Sequence, residues 1–175
     1  SLFCSILPTA TQYARNSMFA GLMPREIASM NPQLWLNDDE EGGKNLNEEE
    51  LLQKQLTRLG KKYRVYYEKI IHMRSGKKLV DNFSNLLNYD LIVIVYNFID
   101  LLSHANTELE MIRELAGNDS AYRSLVLSWF QHSQLLDIIK LLAENNVTVF
   151  FTTDHGSIRV NNPIKVISNK KTSVN

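Results

Sequence analysis

The chain has 175 residues, about the length of one domain with a sizeable core, and its 44% hydrophobic and 22% charged content excludes collagen-like, coiled-coil and wholly disordered classes. Nineteen Lys and Arg balance nineteen Asp and Glu, so no net field recruits nucleic acid or an anionic membrane. A single cysteine, Cys4, excludes an intrachain disulfide and a Cys-rich zinc site and suits a reducing, cytoplasmic setting.

Residues 2–7 form a short apolar run closed by Pro8, which predicts a strand. Helix follows from Thr9 to about Leu22, with Thr9 or Thr11 as cap and Gly21 and Pro24 as stop signals. Residues 37–50 are polar and acidic, as expected of a solvated loop. Asn47 and Glu50 are spaced as a capping box for a surface helix through Leu51, Leu52, Leu56 and Leu59 to Gly60. The charge then reverses at Lys61, Lys62, Arg64, Lys69, Arg74, Lys77 and Lys78, with Tyr63, Tyr66 and Tyr67 interleaved. That pattern fits a groove for a nucleic-acid strand or, more plainly, a solvated strand and helix. Composition predicts a strand over 63–71, a helix over 75–87 and a second strand over 90–96, whose unbroken β-branched run implies cover on both faces. A helix over 108–116, a break at 118–120, one long helix over 121–144, a buried strand over 147–151 and a short strand within 158–167 complete the reading. The apolar runs at 91–96 and 147–151 are too short to span a bilayer, and the N-terminus lacks a signal-peptide pattern. Alternating strands and helices predict an α/β sandwich with a mainly parallel sheet.

The residues able to carry chemistry fall where such a sheet binds ligands, just past the carboxyl ends of its strands. Thr11 follows the first strand, Asp100 and His104 follow the strand ending near Tyr96, and Asp154 and His155 follow the strand ending near Phe151. Carboxylate and imidazole are zinc ligands, and without a cysteine cluster they fit an open catalytic site better than a closed structural one. A coordinated Thr11 hydroxyl would have a lowered pKa and become a nucleophile toward phosphorus, with the helix N-terminus beneath it suited to a phosphoryl oxygen. Arg15, one turn on, and Asn16 are candidate substrate contacts. Each piece also has a plainer reading: a chance Asp-x-x-x-His, an Asp-His-Gly turn, an N-cap threonine. His72, His132, Trp35 and Trp129 read as structural or packing residues.

The segment Pro8-Thr9-Ala10-Thr11-Gln12-Tyr13-Ala14-Arg15-Asn16, continuing to Gly21-Leu22-Met23-Pro24, resembles the nucleophile segment of the alkaline phosphatase superfamily, its phosphodiesterases especially. Asp100-Leu101-Leu102-Ser103-His104 and Thr153-Asp154-His155-Gly156 resemble that superfamily's two metal motifs, in the same order. More closely, the chain is similar to the PglZ domain, in particular the effector domain of PorX-type response regulators, two-component proteins linked to type IX secretion.

The resemblance implies a three-layer sandwich and a phosphodiesterase holding two zinc ions. Thr11 would be nucleophile and ligand, Asp154 and His155 would complete its zinc site, and Asp100 and His104 would hold the partner zinc. It implies a phosphodiester or nucleotide substrate, a receiver domain in the same parent chain, a homodimer, regulatory protein partners and no membrane insertion. The superfamily also expects an upstream Asp and a downstream His, yet no histidine follows His155, so the chain reads as the central part of one domain, with the acidic segment as an insertion. Ala14 stands where nucleotide phosphodiesterases carry a phosphate-binding Asn. Two rivals remain: a catalytically weak regulatory or interaction module with zinc-stabilised dimerisation, and a phosphosugar mutase or transferase of the same superfamily.

Overall fold

The computed structural model describes residues 5–7, 9–37, 40–71, 73–99, 101–102, 110, 114, 116–156, 162 and 164. The chain divides into two compact units, Ser1–Lys62 with Phe151–Asn175, and Tyr63–Phe150.

In the first unit, α1 (Thr11–Ala20) begins at Ala10, whose side chain offers no cap, and ends at Gly21 in the left-handed region with φ 59°. The Gly21 N–H closes the last turn on the Ser17 carbonyl at 2.8 Å. Helix α2 (Pro24–Met30) starts with proline at its first turn, and the Glu26 carboxylate accepts from the Met23 N–H at 2.7 Å. A 3-10 turn (Pro32–Leu34) leads on toward α3 (Glu48–Arg58), which lies along α1. Leu51, Leu52 and Leu56 of α3 are buried, as are Ala14, Phe19 and Ala20 of α1 and Ile27 of α2. Arg58 in the last turn of α3 donates to the carbonyls of Ala20 and Gly21 at 2.7 and 3.2 Å, satisfying backbone acceptors that the end of α1 leaves open.

The helix over 48–58 forms as expected, but the capping box does not. Asn47 stands at the N-cap with no side-chain cap bond, and its amide donates instead to the Leu34 carbonyl at 3.3 Å. The acidic segment is not a detached loop either, because Asn45 and Lys44 bond to α1 and Glu48 is 1% exposed. Of the predicted strand over 2–7, residues 5–7 are described and form no ladder, and Leu7 is exposed.

In the second unit, β1 (Val65–Ile70) and β2 (Leu91–Tyr96) pair in parallel, in register from Val65 with Leu91 to Ile70 with Tyr96. The crossover carries α4 (Met73–Asp81) and α5 (Phe83–Leu86), so these elements form a βαβ unit. Helices α6 (Asp119–Gln131) and α7 (Gln134–Glu144) follow. The core joins Ile70, Leu79, Phe83, Leu86, Ile138 and Leu142, with Tyr66, Ile92, Ile94 and Val147 packed against it.

Here too the structure departs from expectation in defined places. The single long helix over 121–144 is two, because Ser133 Oγ donates to the Phe130 carbonyl at 2.8 Å and the His132 Nδ1–H to the Ser128 carbonyl at 2.8 Å. Such local side-chain bonds compete with helix continuation. The break expected at 118–120 is the start of α6, where the Asn118 side chain accepts from the Ala121 N–H at 2.9 Å. Every residue of β2 is half-buried, so both faces are partly covered and neither is fully buried. The run at 147–151 forms no strand, and Phe150 and Phe151 are 89% and 69% exposed. A strand needs a ladder partner, and among the described residues only β1 and β2 are paired. The helix over 108–116 and the strand within 158–167 lie mostly outside the described residues. Helices with a two-stranded parallel sheet are consistent with part of an α/β fold. Among the described residues, no helix is long and apolar enough to cross a membrane.

Candidate active site

Three candidate residues converge within the first unit. Thr11 opens α1, and its Oγ1 lies 3.2 Å from His155 Nε2, across 144 positions of chain. The Asp154 carboxylate oxygen Oδ2 lies 3.7 Å from the same Nε2.

Local hydrogen bonds shape the segment that carries Asp154 and His155. The Thr153 hydroxyl donates to the His155 carbonyl at 2.7 Å, and the Ser5 hydroxyl donates to the Asp154 carbonyl at 2.5 Å. His155 Nδ1 lies 3.1 Å from the Gly156 carbonyl, which can only accept, so Nδ1 carries the proton. In the neutral imidazole Nε2 is then the lone-pair nitrogen, placed to accept from the Thr11 hydroxyl. The side chains of Asp154 and His155 are 16% and 24% exposed, so the pair sits in a recess that solvent still reaches.

Asp154 Oδ2 is a buried carboxylate oxygen without a hydrogen-bond partner among the described residues. Such an atom costs free energy unless a cation or donor meets it. With Thr11 Oγ1 and His155 Nε2 nearby, the donor set is two oxygens and one imidazole nitrogen, which fits zinc with a coordination position left open. The described residues contain no group of three or more His, Cys, Asp or Glu able to hold a metal, so the Thr11 hydroxyl is needed to make this set of three. Asp100 and His104, the expected ligands of a partner zinc, lie outside the described residues.

Arg15 and Asn16 turn toward neighbouring polypeptide. Arg15 Nε stands 2.6 Å from Glu48 Oε1 of α3, with the two side chains 12% and 1% exposed. The Asn16 amide donates to the Lys44 carbonyl at 2.9 Å, and its oxygen accepts from Asn45 Nδ2 at 3.2 Å. Sequence reasoning missed Glu48 and Asn45 by placing both in a solvated acidic segment. One signal was available for Glu48, which falls on the helical face of Leu51 and Leu52 and therefore on the buried stripe of α3.

Beside the three converging residues, a cleft of about 400 Å³ runs along α1, bounded by Ile6, Ser17, Met18, Glu26, Thr153 and Asp154 among others. Ser17 is 8% exposed and its hydroxyl has no hydrogen-bond partner among the described residues.

No curated protein matches the chain in sequence. The family model described as the BREX system PglZ alkaline phosphatase-like domain matches residues 1–175. Over its whole length, therefore, the chain belongs to the PglZ family of alkaline phosphatase-like domains.

Proposed function

We propose that the chain is a zinc-dependent phosphoesterase domain acting on phosphodiesters, nucleotides or oligonucleotides among them, with Thr11 as nucleophile. Membership of an alkaline phosphatase-like family points to phosphoesterase-type hydrolysis. The observation that carries the finer reading is the approach of Thr11 Oγ1 to His155 Nε2 beside Asp154 Oδ2, which has no hydrogen-bond partner among the described residues.

Thr11, Asp154 and His155 would hold one zinc ion, and Asp100 and His104 a second. Bound zinc supplies Lewis-acid polarisation of a phosphoryl oxygen and a lowered hydroxyl pKa. The chain's own part is orientation. The Nδ1–H bond to Gly156 would leave the Nε2 lone pair, beside Thr11 Oγ1, to meet zinc, and the first-turn N–H groups of α1 favour negative charge gathering on the phosphoryl oxygens. Attack by Thr11 Oγ1 would form an O–P bond as one ester O–P bond of the substrate breaks; the hydroxyl proton leaves with the departing alcohol, and the resulting threonine phosphate ester keeps the substrate's other ester group. Water then hydrolyses that ester and restores the hydroxyl.

The test is metal content together with bis-p-nitrophenyl phosphate turnover by the full-length protein. Two zinc ions per chain are expected, with turnover that Thr11→Val abolishes. A metal-free protein without turnover would overturn the reading.

The engagement of Arg15 and Asn16 with Glu48, Lys44 and Asn45 favours a second reading, a regulatory or protein-interaction module with little catalysis. On that reading, Thr11→Val leaves dimerisation and partner binding as in the wild type.

A further inference from the structure

We propose that Asn45 is a positioning residue for Thr11, and that the segment around it clamps the start of α1 from outside. This rests on the reading of Thr11 as nucleophile. Helix α1 begins without a side-chain cap, since Ala10 has none to offer, so the turn carrying Thr11 lacks the usual local support. Frayed first turns are loose, whereas a nucleophile must be held close to its line of attack.

The acidic segment holds this turn in another way, through its carbonyl rather than its N–H groups. Asn45 Nδ2 donates to the Thr11 carbonyl at 3.2 Å and to Asn16 Oδ1 at 3.2 Å, so one amide spans the first two turns of α1. Asn16, 1% exposed, returns a bond from its own amide to the Lys44 carbonyl at 2.9 Å, locking the residue before Asn45 in place. Lys44 Nζ in turn donates to the carbonyls of Asn37 and Glu40, which folds the segment onto itself. Glu48, just beyond, meets Arg15 in the next turn of α1. At Thr11, Asn45 bonds the backbone carbonyl. It acts through the backbone that carries the hydroxyl.

Three variants test the inference in the full-length protein. Asn45→Ala removes the amide, Asn45→Asp keeps the shape but loses the donor, and Asn45→Gln keeps the donor on a longer stem. Hydrogen exchange of the Tyr13 and Ala14 amides, which close the first turn on the Ala10 carbonyl, reads the positioning without metal or turnover. Faster exchange there in Asn45→Ala and Asn45→Asp, with α3 amides unchanged and partial recovery in Asn45→Gln, is expected. In the zinc-loaded protein, kcat for bis-p-nitrophenyl phosphate falls about ten- to a hundredfold while KM holds, the signature of a displaced reacting group. Wild-type exchange rates in Asn45→Asp, or wild-type kcat in an active protein, would overturn the inference and leave the proposed function standing. An inactive wild type that binds no zinc would overturn the proposed function, and the exchange measurement would still decide whether Asn45 holds the turn.

Discussion

Glu48 is 1% exposed and stands 2.6 Å from Arg15, so an anion that sequence assigns to solvent is buried against a cation on the neighbouring helix. Removing one member of such a pair strands the other charge away from water. Glu48→Ala is accordingly expected to cost about 3–5 kcal/mol, read as a lower urea midpoint, with Glu48→Gln costing less because the amide still accepts a hydrogen bond. Tyr96 offers a contrasting case. Its hydroxyl is buried without a hydrogen-bond partner among the described residues, and burial, with the nearby Asp137 charge adding to it, pushes its pKa up to about 12. The folded state thus holds the phenol proton more tightly than the unfolded chain does. The stability this gives the second unit is fully present below the ordinary phenol value of 10.0 and is lost as pH rises through that value to about 12. In Tyr96→Phe the alkaline loss should shrink, with neutral-pH stability held or raised because the stranded hydroxyl is gone, as thermal melts across that range would show.

At the scale of elements, the best-read features were those that punctuate the chain locally. Gly21 ends α1 as the sequence implies, at a left-handed φ of 59° that a Cβ disfavours, and a Cβ there would also stand 2.3 Å from Gln55 Nε2. Gly21→Ala should cost about 1–2 kcal/mol from the backbone alone, measured by denaturant unfolding, with Gln55 swinging aside. The paired strands were legible from their β-branched composition, and their parallel order follows from the intervening helices. What misled was any feature whose partner lies far along the chain. Asn47 and Glu50 have capping-box spacing, but Leu34 takes the Asn47 amide. Val147 to Phe151 has strand composition, but composition cannot provide a neighbour to pair with.

Over the whole molecule, the candidate site joins two ends of the chain, since the 3.2 Å contact between Thr11 and His155 spans 144 positions. Zinc that binds only the folded arrangement would stabilise it by mass action. Free zinc at about a hundredfold above its Kd should add about 2.7 kcal/mol, seen as a rise in Tm that a chelator reverses and that His155→Ala largely removes.

The sequence by itself determined the first helix, expected from Thr9 to about Leu22 and formed over 11–20, with its glycine stop, and the two parallel strands with a helical crossover between them. These rest on periodicity, backbone conformational preference and residue chemistry, which act over a few positions. Only the tertiary structure decided that Thr11 meets His155, that Arg15 and Asn16 turn to Glu48, Lys44 and Asn45, and that an acidic segment holds the start of α1. Those outcomes depend on which buried polar groups find partners when distant segments pack, and no local pattern carries that information.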